Sequence, residues 1–496
     1  MSNIFQAVKD HLVILEVLIP FFGSLIVVLY KKVESALIVS RLCAILGIIL
    51  GIYGVLSMIN STPYFYAIGN WQAPIGIEYR VDQVNQIIIV FSYFILFLLL
   101  TFNSQLIKTN LLSSLNPSRS HLLYSILLLL HTGFCGIILS NDLFNIYVFI
   151  EIASLASYTL VSQGVDKRAL IGSINYLILG TIGATFILIA IGFILSNTGS
   201  LNITDIISRL PQQRTKTLIA AIMFYITGCL LKVAMFPMSS WLISTYKYTS
   251  SVILSYFAPI SCMVGFYILL YFVYQIIGIT NINTLHSYYI INALGLAGAI
   301  FCSCYAVQQS NLKSIMAYSV LAETSYISLM AFNIQSSTIG AQIIVILLTS
   351  CILKSIIYSL ISRIEVHYHD SELKHIAGIG STYPVFGILF TLALISNLGL
   401  PLTIGFVNKL NIFLTVLQSL GYFGIIILAI SSCMSFNYHY KIFHYLYSTQ
   451  QTSHSSFTLN GNNMVAIILT IISYLMLIFY NHLLVYLQPF FLPKIM

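Results

Sequence analysis

Six ionisable side chains stand where apolar residues otherwise run on unbroken: Glu16, Glu151, Lys232, Glu323, Lys354 and Lys409. His131 is a seventh titratable group of the same kind. A charge at the centre of a bilayer helix costs roughly 2.5–3.5 kcal/mol on the insertion scale, so each needs a partner or a water-filled cavity. The three acids and three lysines can neutralise one another, as a buried chain of alternating charge requires. Such a chain can hold and pass protons. Burial and a neighbouring carboxylate pull a lysine's proton affinity in opposite directions, an adjustability that arginine lacks.

The surroundings of each group sharpen this reading. Glu151 lies in DLFNIYVFIEIASLASY, with Tyr147 a turn before it, Ser154 a turn after and Tyr158 two turns after. These form a polar stripe on one helix face. Lys232 comes shortly before Pro237 in GCLLKVAMFPMSSW. That proline removes a hydrogen bond to the carbonyl of Val233 and predicts a kink with a free carbonyl beside the ammonium. Lys409 follows Pro401 in SNLGLPLTIGFVNKLNIF, about 12 Å further along a helix axis. Ser350, Lys354 and Tyr358 share a face, and Glu323 has Ser319 one turn before it. His131 in LLLLHTGFCG reads as a neutral core imidazole, and Glu16 as an interfacial group near the end of its run. Plainer roles exist: a helix-packing ion pair for Glu151, a structural kink for Lys232, and snorkelling for Lys409.

These groups must be positioned by membrane helices. The chain has 496 residues, 58% hydrophobic and 7% charged, whereas soluble domains carry about a quarter charged residues. It is an integral membrane protein, which excludes a cytosolic enzyme, a secreted disulfide scaffold and a nucleic-acid binder. The net charge of +8 concerns orientation in the bilayer. The eight cysteines are scattered singly; Cys302 and Cys304 make a C-x-C inside an apolar run, neither a zinc nor a redox signature. With no phosphate loop, catalytic triad or Cys/His cluster, no cofactor and no metal are expected. Lys9, Asp10 and Glu16 surround the first apolar run without a cleavage site, favouring a retained span over a removable signal peptide.

At about 20 residues per crossing, spans fall near 12–30, 35–58, 84–106, 121–140, 142–163, 169–195, 217–236, 250–276, 287–306, 312–333, 340–362, 383–410, 416–439 and 464–487. The fold class is all-α, a single transmembrane domain of about fourteen helices. Residues 61–82 (STPYFYAIGNWQAPIGIEYRVD) predict a hairpin cap, and 199–213 a short amphipathic helix. Residues 363–378 predict a solvated polar loop. Placing both termini outside leaves twelve basic residues inside against six outside, with three more in spans. The positive-inside rule therefore puts both termini on the outer side. Pro237 and Pro401 break two lysine-bearing helices, the lysine preceding one proline and following the other. That reversal points to an inverted internal repeat.

At these motifs, over about residues 64–440, the chain resembles the antiporter-like family. This family comprises the large membrane subunits of Mrp-type cation/proton antiporters and the proton-pumping membrane subunits of respiratory complex I. The motifs are GNWQAPIGIEYRVD, NDLFNIYVFIEIASLASY, NYLILGTIGATFILIAIGFIL, LLKVAMFPMSSWL, NLKSIMAYSVLAETSYISL and GLPLTIGFVNKL. The hairpin and the fifth and sixth spans are most similar to the D-type membrane protein of the Mrp antiporters. The resemblance implies two inverted five-helix repeats, 121–276 and 287–439. Helices 1–3 (12–106) precede them, helix 14 (464–487) follows, and helices 7 and 12 are broken.

The resemblance also implies that Glu151 is the helix-five glutamate, paired with the Lys232 ammonium of helix seven, and that Lys409 and Lys354 are the lysines of helices twelve and eleven. Met263 departs from the pattern, standing where helix eight usually carries a lysine. Glu323 and Ser350 stand where complex I subunits carry histidines. The gap at Met263 suggests a compensating Glu323–Lys354 pair, with Ser319, Ser350 and Tyr358 holding water beside it. The implied function is proton translocation coupled to Na+ exchange with other membrane subunits as partners, in a bacterial inner membrane. A complex I subunit without its own redox centre and a transport-degenerate structural subunit are the alternatives.

Overall fold

Long apolar helices satisfy their own backbone hydrogen bonds, which is what lipid demands of a spanning segment. The computed structural model describes residues 2–59, 62–112, 119–164, 166–210, 215–278, 287–334, 336–368, 370–448 and 463–491. Arg214, His369 and Lys494, which bear on the charge and loop expectations, lie outside the described residues. The principal helices are α1 (Ser2–Leu29), α2 (Val33–Ser57), α3 (Gln83–Phe102), α4 (Leu122–Leu139), α5 (Leu143–Ser162) and α6 (Ala169–Thr198). Then come α7 (Lys216–Lys232), α8 (Ser240–Tyr248), α9 (Ser251–Tyr271), α10 (Ser287–Gln308) and α11 (Leu312–Phe332). The last are α12 (Ser337–Tyr368), α13 (Pro384–Leu398), α14 (Ile404–Leu446), α15 (Met464–Ile478) and α16 (Tyr480–Leu487).

Among the described residues, 11 helices are long and apolar enough to cross a membrane, or up to 13 if two sharply bent pairs each count as one span. The expected seventh span is cut short at Lys232, before the next helix, α8, starts at Ser240, and α7 with 17 residues is too short to qualify alone. Conversely, α14 has 43 residues and turns at Gly421, where φ is 66°. That turn falls inside the expected thirteenth span (416–439), and the helix runs without a break across the expected gap between the twelfth and thirteenth. The polar loop expected from residue 363 starts later, because α12 remains helical through Tyr368.

Three central helices, α9, α11 and α12, are buried along nearly their whole length, while α6 exposes Ile171, Ile174, Ile178 and Ile182 on one face. Helices in lipid associate by close packing and interhelical hydrogen bonds, and small residues allow the approach. Along α2, Gly47, Gly51 and Gly54 receive Tyr93, Val90 and Gln86 of α3; a Cβ there would come within 2.2, 2.7 and 2.0 Å of them.

The expected cap exists as an antiparallel hairpin, β1 (Tyr64–Ala67) with β2 (Glu78–Val81). Asp82 caps α3 through a reciprocal bond with Asn85 and pairs with the Arg80 guanidinium at 3.0 Å. Arg80 donates to Tyr271 Oη, which donates to Asn141 Oδ1 at 2.8 Å. Asn141 and Asn202 both donate to the Glu78 carboxylate, at 2.7 and 2.6 Å. The Arg80 guanidinium also lies 5.3 Å from the centre of the Phe490 ring. In the expected amphipathic segment a short helix, Ile203–Arg209, is capped by Asn202.

Candidate functional site

Lys232 is the last residue of α7, and the break after it is wider than a proline kink. Residues 233–239 are not α-helical, and Ala234 adopts φ 57°. The chain turns before it reaches Pro237, so the sequence expectation of a simple proline kink is corrected. Met235 N–H donates to Leu230 O at 3.0 Å, Ala234 N–H to Leu231 O at 3.2 Å, and Trp241 Nε1 to Leu231 O at 3.1 Å. The carbonyls of Leu230 and Leu231 at this helix end are therefore taken by backbone and indole donors.

Lys232 Nζ donates instead to Ser154 Oγ on α5 at 2.8 Å. Around them is a cavity of about 50 Å³, lined in part by Ser157, Tyr176, Ser261 and Gly265. That volume suffices for water, given the polar groups in its wall. Glu151 lies one turn from Ser154 and is half-buried. Among the described residues it makes no ion pair with Lys232 within the 4.0 Å that defines one. The lysine expected to touch Glu151 is bonded instead to a serine one turn along the same helix. Further along the stripe Tyr158 packs edge-on against Tyr176, ring centres 4.6 Å apart.

The second cluster contains the compensating pair. Glu323 Oε2 on α11 lies 3.1 Å from Lys354 Nζ on α12, with the lysine side chain 3% exposed. Lys354 also donates to Cys262 Sγ on α9 at 3.6 Å. A cavity of about 60 Å³ opens beside Glu323, lined also by Ser319, Ser350, Asn397, Asn408 and Lys409. Ser319 Oγ accepts from Asn397 at 3.2 Å and from Tyr438 Oη at 3.1 Å. Tyr358 does not line this cavity, contrary to expectation. A four-residue step rotates a helix face by about 40°, and the Tyr358 ring meets Tyr246 edge-on at 6.0 Å.

Lys409 projects into the same cavity, with Nζ 3.5 Å from Ser435 Oγ, rather than toward a membrane face. Its stem lies across the second helix break, where a Cβ on Gly399 would come within 2.7 Å of Lys409. Here too the interruption is broader than the proline: α13 ends at Leu398, and Gly399 and Leu402 take φ of 79° and 68°. Gly405 starts the next helix so close to α13 that a Cβ would fall 1.7 Å from Ser396 O. Pro401 itself is exposed in the turn.

Sequence reasoning found Ser319 and Ser350 but missed other neutral polar members of this cluster. Asn397 and Asn408 flank the break in SNLGLPLTIGFVN, and Asn408 donates to Thr349 Oγ1 at 2.5 Å. His439 on α14 is buried, bonded through Nδ1 to Ser435 O at 2.8 Å, with Nε2 3.2 Å from Asn397 Nδ2. Two asparagines on either side of a Gly-Leu-Pro break were the available signal.

Two remaining candidates resolve differently. Glu16 is fully buried, which corrects its interfacial placement. α1 extends from Ser2, so Glu16 is mid-helix rather than near an end. Gln86 Nε2 donates to its Oε2 at 3.3 Å. His131 is held by Tyr256 Oη at 2.8 Å and lies 3.5 Å from Cys135 Sγ, in keeping with a core imidazole. Met263 is buried in α9, the helix that separates the two cavities: its Ser261 and Gly265 line the first, and its Cys262 touches Lys354.

Residues 140–435 match the family model described as NADH:quinone oxidoreductase/Mrp antiporter, TM. NADH-quinone oxidoreductase subunit N of Desulforudis audaxviator (strain MP104C) is 29% identical over 442 residues, covering 87% of this chain and 85% of its own length. Putative antiporter subunit mnhD2 of Staphylococcus aureus (strain N315) is 26% identical over 447 residues, 88% and 86% of the two chains. Two solved structures share the fold. A chain of the membrane-bound sulfane sulfur reductase, an archaeal respiratory membrane complex, has TM-score 0.88 at 20% identity, with 98% of this chain and 97% of that one covered. A chain of the Mrp complex from Dietzia sp. DQ12-45-1b has TM-score 0.83 at 17% identity, covering 97% and 96%. Two broken helices carrying lysines, a glutamate stripe on α5, and this match across more than half of the sequence lead to one conclusion: the chain belongs to the NADH:quinone oxidoreductase/Mrp antiporter transmembrane family.

Proposed function

We propose that this chain is the proton-translocating membrane subunit of a multi-subunit monovalent cation (Na+)/proton antiporter. The observation that carries the reading is the Glu323–Lys354 ion pair beside a polar cavity that also holds Lys409. A proton on Lys354 Nζ can pass to Glu323 Oε2, and from the cavity's water to Lys409. In the other half, Glu151 and Lys232 exchange protons through Ser154 and the water beside it. Helices α4–α9 and α10–α14 act as the two inverted repeats, Pro237 and Pro401 mark their broken helices, and α1–α3 with α15 and α16 flank them. The chain sits in a bacterial inner membrane with both termini on the outer side, and other membrane subunits couple proton movement to cation exchange.

The antiporter relative supports this assignment, as does the cap hairpin, whose sequence is most similar to the D-type antiporter proteins. A second reading, a proton-pumping complex I subunit, is favoured by the somewhat higher identity to the NADH-quinone oxidoreductase relative. Co-purification from mild detergent separates them: small multispan partners support the antiporter, and peripheral flavin and iron-sulfur subunits support complex I. Glu151→Gln and Lys232→Ala should each abolish coupled proton flux in membrane vesicles while some assembled complex remains. Near-normal flux in either variant, with assembly confirmed, defeats the proton-translocating role and leaves the structural-subunit reading.

A further inference from the structure

The resemblance implies a lysine on the helix where this chain carries Met263, so Lys354 lacks that neighbour as a proton source. A different supply is visible in the seam between α9 and α12. These helices are antiparallel, and two contacts fix their register. At one end the backbone N–H of Ser251 donates to Glu365 Oε2 at 2.7 Å. At the other, Lys354 Nζ donates to Cys262 Sγ at 3.6 Å. Both contacts are separated by the same number of residues on each helix, about 16 Å of axis.

Between them the two faces mirror each other. Ser251, Ser255, Ala258 and Cys262 follow at steps of four, three and four, as do Glu365, Ile361, Tyr358 and Lys354 in the opposite direction. The α9 face is small throughout. Tyr358 stands between the two ends, its hydroxyl buried and without a hydrogen-bond partner among the described residues. A buried hydroxyl left unpaired is costly, and water is what ordinarily satisfies it.

The outer end of the seam is closed by charge. Glu365 Oε1 pairs with Lys313 Nζ at 2.7 Å, the side chains 10% and 6% exposed. Lys313 also donates to Thr249 O at 3.0 Å. Both carboxylate oxygens of Glu365 are thus occupied, one by an ammonium and one by a backbone N–H. Both contacts favour the ionised carboxylate, so Glu365 takes up a proton more readily when they open.

We propose that the Lys313–Glu365 pair is a gate, and that the α9/α12 seam behind it supplies protons to Lys354 from the face carrying residues 249–251, 310–313 and 370–372. When Lys354 Nζ gives its proton to Glu323 Oε2, an N–H bond breaks and an O–H bond forms. The freed lone pair on Nζ then takes the proton relayed from Glu365 through water on the Tyr358 hydroxyl. This rests on the proton-translocating reading above and adds the route by which its second half is loaded.

Cys262 is a natural reporter at the deep end of the seam. With the other seven cysteines replaced by alanine or serine in the assembled complex, a small membrane-impermeant methanethiosulfonate should modify Cys262 slowly. Replacing Lys313 and Glu365 together by alanine should accelerate that reaction about tenfold or more, and only from the gated face. Tyr358→Phe, which keeps the ring, should slow coupled proton flux about tenfold with assembly unchanged. Unaltered Cys262 reactivity in the opened variant, or reaction only from the opposite face, overturns the gate. Normal flux in Tyr358→Phe overturns the relay. Cys262 labelling does not depend on transport, so failure of the wider reading, seen as normal flux in Glu151→Gln, is distinguishable from failure of this one.

Discussion

Glu323 touches its lysine directly, whereas Lys232 is bonded to Ser154 rather than to Glu151, and this difference predicts different mutant behaviour. Removing one partner of a buried ion pair costs about 3–5 kcal/mol, much of it the penalty of the stranded charge. Glu323→Lys and Lys354→Glu should each fail in transport and lower complex yield, while the double exchange, which restores opposite charges at 3.1 Å, should recover part of both. A double exchange no better than the singles would sink the pair. Ser154→Ala is milder: it removes the acceptor of the Lys232 ammonium, a loss of about 1–3 kcal/mol. It should slow proton flux severalfold in vesicles at near-normal assembly; flux equal to wild type would show that Ser154 only fills space. The charged members of these clusters were legible because a charge in an apolar run is conspicuous. The serine link, Asn397, Asn408 and His439 were not, since neutral polar side chains occur throughout membrane helices and only the packing shows which of them face a cavity.

At the scale of the helix, the two breaks are not proline kinks. The first is made by the turn at Ala234 and by donors that take the carbonyls of Leu230 and Leu231. Pro237→Ala should therefore leave the interruption in place, with little change in yield or transport; loss of transport with normal yield would show that the proline itself matters. The second depends on the close approach of Gly405 to Ser396 O, within 1.7 Å of an added Cβ. Gly405→Ala must push α13 and α14 apart and should reduce assembled complex strongly, read as yield and melting temperature in detergent. Wild-type yield would mean that the break tolerates displacement. Hydropathy located the spans because apolar length is a property of composition. It misplaced the ends of the seventh, twelfth and thirteenth because backbone turns at Ala234, Leu402 and Gly421 leave no hydropathy signal.

Over the whole molecule, charge is concentrated where three central helices are buried and apolar side chains face outward, so the bundle is an insulated support for its two cavities. Helix α9 lines the first cavity through Ser261 and Gly265 and reaches Lys354 through Cys262, with the uncharged Met263 between them. One face is sealed by the β1–β2 hairpin, whose Arg80 guanidinium is held by Asp82, by Tyr271 of α9 and by the Phe490 ring. Gln275 Nε2 fixes the Phe490 carbonyl at 2.9 Å, and Phe491 packs where a Cβ on Gly340 would come within 2.4 Å. The seal is therefore built from segments made far apart in time. At about 5–20 residues per second, Arg80 waits roughly 20–80 s before Phe490 exists to cover it. For that interval the hairpin face is open, with its guanidinium balanced by Asp82 alone until α9 arrives. Closing of this face therefore waits until Phe490 has been made and packed against Arg80.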